Sequence, residues 1–285
     1  MDDQNKIYHP RIKNRIKGAV GFILGIFFHD KTESIKEKYF TIRPKHLTKI
    51  DEFIIEGLRW KAMFSKQDEV IDDIHKNFWQ HESAISFHAK HSDLFEKIYL
   101  KYFQDIVIFL TNHTQKNPAN YTQLIEIGTG SGQVLHHLSQ NLKTIDRFIG
   151  LDLSPEQTAR NLIHYKDTPL SFIGTDAYEW ILSEGKKNTI FLTHNGVLEY
   201  FSNKKLAHLF SQIANHLSPT LFAIIEPIAQ DFDLNTVFQS QPFGNEFSFS
   251  HNYPHLFEKA GWQIIFIKEV YFESSRILML VAQKT

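Results

Sequence analysis

The chain contains no cysteine among its 285 residues. That absence excludes disulfide bonds and thiolate metal sites, and it fits a reducing cytoplasm as the expected compartment. No metal site is expected. An excess of charge of either sign is also missing, since 31 Lys and Arg face 32 Asp and Glu for a formal net charge of -1. Such a chain lacks the basic field on which a general nucleic-acid binder relies, so no nucleic-acid partner is expected. No apolar run reaches the ~20 residues that span a bilayer. The nearest approach is 18–28, preceded by Arg11, Lys13, Arg15 and Lys17. Its basic-then-apolar order imitates a signal peptide, but no small-x-small cleavage pattern follows Phe28. A buried or lid helix is the expectation for 11–28. The alternative is an interfacial amphipathic segment that touches membrane or a lipid.

What is present divides into two textures. Residues 1–118 carry helical patterns and few strand signals. The clearest is 93–112, where Leu94, Phe95, Ile98, Tyr99, Tyr102, Phe103, Ile106, Val107 and Leu110 repeat at helical spacing. Shorter helices are expected at 50–64 and 70–78. From 119 to 285 short apolar runs alternate with amphipathic stretches, the pattern of repeated strand–helix units around a mostly parallel sheet. Seven strands are expected, at 123–127, 146–152, 170–173, 189–193, 221–225, 262–267 and 277–282. Ser154-Pro155-Glu156-Gln157 reads as a helix start with a capping box, and Asp176 and Ser202 precede two further helices.

Between the first strand and its helix stands Glu126-Ile127-Gly128-Thr129-Gly130-Ser131-Gly132-Gln133. Glycines at alternate positions permit a tight turn and close approach of backbone to a ligand, and the helix that follows offers free N–H groups. A dinucleotide fingerprint would place glycine where Gln133 stands, and a phosphate-binding P-loop needs a lysine that is absent. The acid two positions before the first glycine would repel a pyrophosphate and suits a ligand bearing an ammonium group. A nicotinamide-dependent oxidoreductase is thereby disfavoured.

This turn resembles the first motif of the class I S-adenosylmethionine (SAM)-dependent methyltransferases. Two further segments resemble the same family: 148–155, ending in Asp152-Leu153-Ser154-Pro155, and 172–177, ending in Asp176-Ala177. The resemblance runs from about 121 to 284. It implies a Rossmann-like α/β fold with helices on both faces of the sheet, SAM as cofactor and S-adenosylhomocysteine (SAH) as product. The implied cofactor-binding residues are Glu126, Gly128, Thr129, Gly130, Gly132, Asp152, Leu153, Asp176, Ala177 and Asn195. In the family the acid of the second strand bonds the ribose hydroxyls, and the acid of the third with its neighbour holds the adenine edge.

Where the methyl group goes depends on the segment after the fourth strand and on whatever covers the pocket. Thr193-His194-Asn195-Gly196-Val197-Leu198-Glu199-Tyr200 lacks the Pro-Pro-aromatic motif of base N-methylating relatives. His194 is the candidate general base by residue type and position, with Glu199 and Tyr200 behind it. The helical region 1–118 is expected to act as a lid. Its aromatic- and histidine-rich stretch 78–91 supplies Trp79 and His88 as candidate substrate contacts, alongside Tyr200. The segment 230–250, with Phe232, Phe238, Phe243, Phe247 and Phe249, is expected to complete an aromatic pocket. A small, apolar or aromatic acceptor methylated on oxygen or carbon is the leading expectation. The alternatives are a protein or RNA methyltransferase, or a SAM-binding interaction module that has lost catalysis.

Overall fold

The structure, a computed structural model, describes residues 5–9, 12–44, 46–65, 68–81 and 93–285. Four helices lead the chain: α1 (Ile12–Phe27), α2 (His29–Lys38), α3 (Lys49–Ser65) and α4 (Asp68–Gln80). A π-helical turn, Phe95–Tyr99, then runs into a short α-turn, Leu100–Tyr102, before α5 (Gln104–Lys116). The expected continuous helix over 93–112 is therefore interrupted, and the break falls at Phe103, whose φ of -114° leaves the helical region. Tyr99 and Phe103 are both fully buried on either side of the break and lie edge to face with each other.

The second part is a seven-stranded sheet. Its strands are β1 (Gln123–Ile127), β2 (Arg147–Asp152), β3 (Leu170–Gly174), β4 (Thr189–His194), β5 (Thr220–Ile228), β8 (Gln263–Phe272) and β9 (Ser275–Lys284). A separate hairpin, β6 (Gln241–Phe243) with β7 (Ser248–Ser250), lies inside the segment expected to be loop. The large sheet runs in the order β3-β2-β1-β4-β5-β9-β8. Its first five strands are parallel, while β9 is antiparallel to both β5 and β8. Between the strands lie α6 (Gln133–Asn141), α7 (Pro155–His164), α8 (Ala177–Glu184), α9 (Asn203–His216) and α10 (Tyr253–Lys259).

Alternation along the strands builds the two faces. Leu124, Ile190, Leu192 and Leu221 point to one core, which Leu110 of α5 and Leu135 and Leu138 of α6 complete. Ile125, Phe191, Phe222 and Ile224 point to the other, against Ile181 of α8, Phe210 of α9 and Phe257 of α10. The layers follow from this pattern: a helix that buries one stripe needs a sheet face to bury it against. Ser154 caps α7 by accepting from the Gln157 amide, as expected, but the Gln157 side chain donates to Asn161 and does not close the box.

The leading helices form a layer of their own. α1 and α3 cross backbone to backbone where Gly21 meets Phe53 and Gly57, so near that a Cβ on Gly21 would lie 1.7 Å from the Phe53 carbonyl oxygen. Helix α1 thus packs through one glycine-lined face. Its other face stays exposed at Ile16, Val20, Ile23 and Phe27, and none of α1 covers the cavity described below. No described helix is long and apolar enough to cross a membrane. A third core joins Ile35, Phe40, Ile54, Ile55, Ile71 and Ile74 to Phe247 and Phe249 of the β6–β7 hairpin. Two aromatic residues of 230–250 thus anchor the helical layer, while Phe232 and Phe243 form a small core of their own with Ala229. Phe232, Phe243, Phe247 and Phe249 are buried away from the cavity, and Phe238 is exposed.

Candidate active site

The carboxyl ends of β1, β2, β3 and β4 open into one cavity, where a parallel α/β sheet ordinarily places its ligand. Strand order sets the sequence of groups along it: Asp176 after β3, Asp152 ending β2, the glycine turn after β1, then His194 ending β4. The turn is tightly held. Gly128, Gly130 and Gly132 all adopt positive φ, and a Cβ on Gly128 would fall 2.6 Å from Val197. Asp152 accepts from the Gly130 amide at 2.9 Å and from the Ser154 amide at 2.9 Å. Asn161 of α7 donates to the Gly130 carbonyl at 2.7 Å. Asp152 lines the cavity while making these bonds.

Glu126 tests what this turn can hold. Its carboxylate is 2 % exposed and accepts from the Thr129 hydroxyl at 2.6 Å. Burial raises its pKa to about 8, against which the Thr129 hydrogen bond acts. Among the described residues no Lys, Arg or His forms an ion pair with it. A buried carboxylate with no ion-pair partner among the described residues, beside a ligand-sized cavity, fits a ligand that brings its own ammonium. Leu153, Ala177 and Thr129 also line the cavity.

The third-strand acid is doubly engaged. Asp176 caps α8 through the Tyr178 amide at 2.8 Å, and its other oxygen pairs with Lys76 Nζ at 2.7 Å. Burial would raise its pKa, but the Lys76 hydrogen bond and the charges of Lys205 and Lys76 outweigh this and hold it low. Lys76 belongs to α4, which roofs the cavity with Asp72, Lys76 and Trp79 on one face. Asp72 accepts from the Ser202 amide at 3.3 Å and pairs with Lys205 at 3.3 Å. From the helical region expected to act as a lid, α4 together with Leu94 and Phe95 lines the cavity.

At the β4 end His194, Asn195, Trp79 and Tyr200 all line the cavity. The Tyr200 and Trp79 rings lie 5.5 Å apart, and the Tyr200 hydroxyl donates to Glu246. His194 sits edge-on to Tyr99 at 4.9 Å and near Phe103 at 5.9 Å. Burial lowers its pKa to about 3, so the ring is neutral and weakly basic at neutral pH. His88 lies outside the described residues.

Sequence reading missed the group that shapes this end. Asn195 and Gly196 both have positive φ, at 58° and 88°, and Glu226 of β5 holds the turn by accepting from the amides of Val197 at 3.0 Å and Leu198 at 3.2 Å. Its signal was visible as a lone acid inside the otherwise apolar run of β5, fully buried. Glu199, by contrast, points away to Ser248 at 2.6 Å. Glu246, Asp72 and Lys76 carried no such signal, because they arrive from distant segments.

Fold and site define the class: a Rossmann-like methyltransferase domain with its ligand cavity at the strand ends. Residues 124–220 match the family model described as a methyltransferase domain. No curated protein matches the sequence. Among solved structures, magnesium protoporphyrin IX methyltransferase from Synechocystis with bound SAM is similar with a TM-score of 0.52 at 12% identity. That similarity covers 75% of this chain and 97% of that one. The same enzyme with bound SAH gives 0.53 at 12% identity, over 75% of this chain and 100% of that one.

Proposed function

We propose that this chain transfers the methyl group of SAM to a small, apolar or aromatic acceptor, at oxygen or carbon. The observation that carries the reading is the roof. Helix α4 brings Trp79 to the cavity, and Phe95, Tyr200 and Phe201 from other segments also line it. Such a site suits a molecule that enters whole, and an RNA or protein acceptor would require an open face, basic for RNA.

In this reading Glu126 meets the ammonium of the cofactor and Asp152 its ribose hydroxyls. Asp176 and the Ala177 amide meet the adenine edge, and Thr129 and Asn195 shape the turns on either side. When bound, SAM supplies an electrophilic methyl group on a sulfonium. The residues Trp79, Tyr200 and His194 align an acceptor against it and keep water out. A neutral, weakly basic His194 fits an acceptor that ionises readily or has no proton to lose.

Calorimetric titration with SAM, SAH and NAD tests the cofactor half. SAM and SAH are expected to bind and NAD to show no heat, whereas NAD binding without SAH binding overturns the reading. Asp152→Ala is expected to weaken SAH by ~1–3 kcal/mol, the usual cost of a lost polar partner. The acceptor half is tested by incubating small phenolic and enolic compounds, and separately a basic peptide and an RNA, with methyl-labelled SAM. Label confined to the macromolecules would remove the small-acceptor reading.

A further inference from the structure

We propose that Lys76, on the roof helix outside the α/β domain, is a positioning residue for the cofactor's adenine, acting through Asp176. The inference rests on the reading that the cavity takes SAM. Asp176 is held at both oxygens: one accepts from the Tyr178 amide at 2.8 Å and the other from Lys76 Nζ at 2.7 Å. A capping aspartate secured at one oxygen only can swing the other. With the ammonium in place the carboxylate plane is fixed, and each oxygen still keeps a lone pair for a further donor. The adenine 6-amino group is such a donor, and the Ala177 amide beside it matches the neighbouring ring nitrogen.

The surroundings keep this pair charged. Hydrogen bonding to Asp176, with Glu179 and Asp73 nearby, raises the Lys76 pKa against the effect of burial. Lys205 does not displace it, because Lys205 pairs with Asp72 at 3.3 Å and lies over the rings of Phe201 and Tyr178, at 4.8 and 5.0 Å. Helix geometry places Asp72, Lys76 and Trp79 at i, i+4 and i+7 on one face. The helix is therefore tied to the start of α9 by Asp72, to the end of β3 by Lys76, and beside Tyr200 by Trp79. Placing the roof and orienting the adenine acceptor are a single act of Lys76.

The test uses the full chain, with SAH and an SAH analogue whose purine lacks the 6-amino group, titrated by calorimetry into wild type, Lys76→Met and Lys76→Arg. Lys76→Met is expected to weaken SAH by about 5- to 10-fold, near the value of one hydrogen bond. Lys76→Arg keeps most of the affinity, because its guanidinium also bonds a carboxylate. The analogue is expected to bind wild type and Lys76→Met alike. An unchanged or tighter SAH affinity in Lys76→Met overturns the proposal. So does an equal loss for both ligands, which would mark a displaced roof and no action on the 6-amino group. Wild type that fails to bind SAH overturns the cofactor reading itself, so the two failures are told apart.

Discussion

Glu226 is one carboxylate on which a functional loop depends. It is fully buried, and its oxygens serve the amides of Val197 and Leu198 in a turn where Asn195 and Gly196 both have left-handed backbone. Left-handed residues persist where the surroundings over-determine them, and here those surroundings are largely one side chain. Removing it leaves buried amides unpaired, at ~1–3 kcal/mol. Glu226→Ala is therefore expected to lower unfolding free energy by roughly 2 kcal/mol and to weaken SAH binding through a displaced Asn195. Glu226→Gln, which keeps an acceptor oxygen and the shape, is expected to retain most of both. Chemical denaturation with and without SAH measures this, and an Ala variant as stable as wild type would show that the turn holds itself. Residues of this kind mark the limit of reading by motif. Glu126, Asp152 and Asp176 were legible because each lies at or just past the carboxyl end of a strand, beside recognisable neighbours. Lys76 and Glu246 become site residues only through contacts made across more than forty positions of chain, to Asp176 and Tyr200.

Among the elements, the helix pair α1 and α3 depends on two small residues. The close crossing at Gly21 and Gly57 admits no side chain, since the nearest backbone atoms would lie at 1.7 and 2.3 Å from a Cβ. Gly21→Ala or Gly57→Ala must push the helices apart, and overpacking of this kind costs ~1–3 kcal/mol. Thermal unfolding is expected to show a lower midpoint for either variant. An unchanged midpoint would mean that the pair yields without loss. The elements themselves were read from sequence with uneven success, for physical reasons. β1 to β5 were legible because buried parallel strands are short apolar runs between helices. The β6–β7 hairpin was not, because its two three-residue strands are too short for a period to declare itself. Its phenylalanines looked like pocket walls, but Phe247 and Phe249 turn into the core of the helical layer and Phe243 into a smaller core beside Phe232. The break at Phe103 was hidden by apolar residues that continue at helical spacing through it.

The protein as a whole carries an unusual set of buried titratable groups, and their opposing effects predict its response to pH. Burial raises Glu126 to about 8 and Glu226 to about 7, from an ordinary carboxylate value of 4.5. The folded chain thus holds protons that the unfolded chain has released, so this contribution to stability declines as pH rises from about 4.5 to about 8. Burial lowers His75, His194 and His251 to about 3 from 6.5. The unfolded chain takes up those protons first, so this contribution declines as pH falls from 6.5 toward 3. Between the two carboxylate and histidine reference values the slopes oppose each other and the stability curve is expected to be flat. Melting temperature should then fall on both sides, with the alkaline fall set by the carboxylates alone. An ammonium seated against Glu126 favours its ionised form, so ligand binding near neutral pH should release a proton and strengthen as pH rises toward 8. Saturating SAH is accordingly expected to shift the alkaline flank upward, and Glu126→Gln to abolish that shift while leaving the acid flank in place. Melting curves from pH 4 to 9, with and without SAH, measure both flanks. An alkaline flank that SAH leaves unmoved would remove Glu126 from contact with the ammonium.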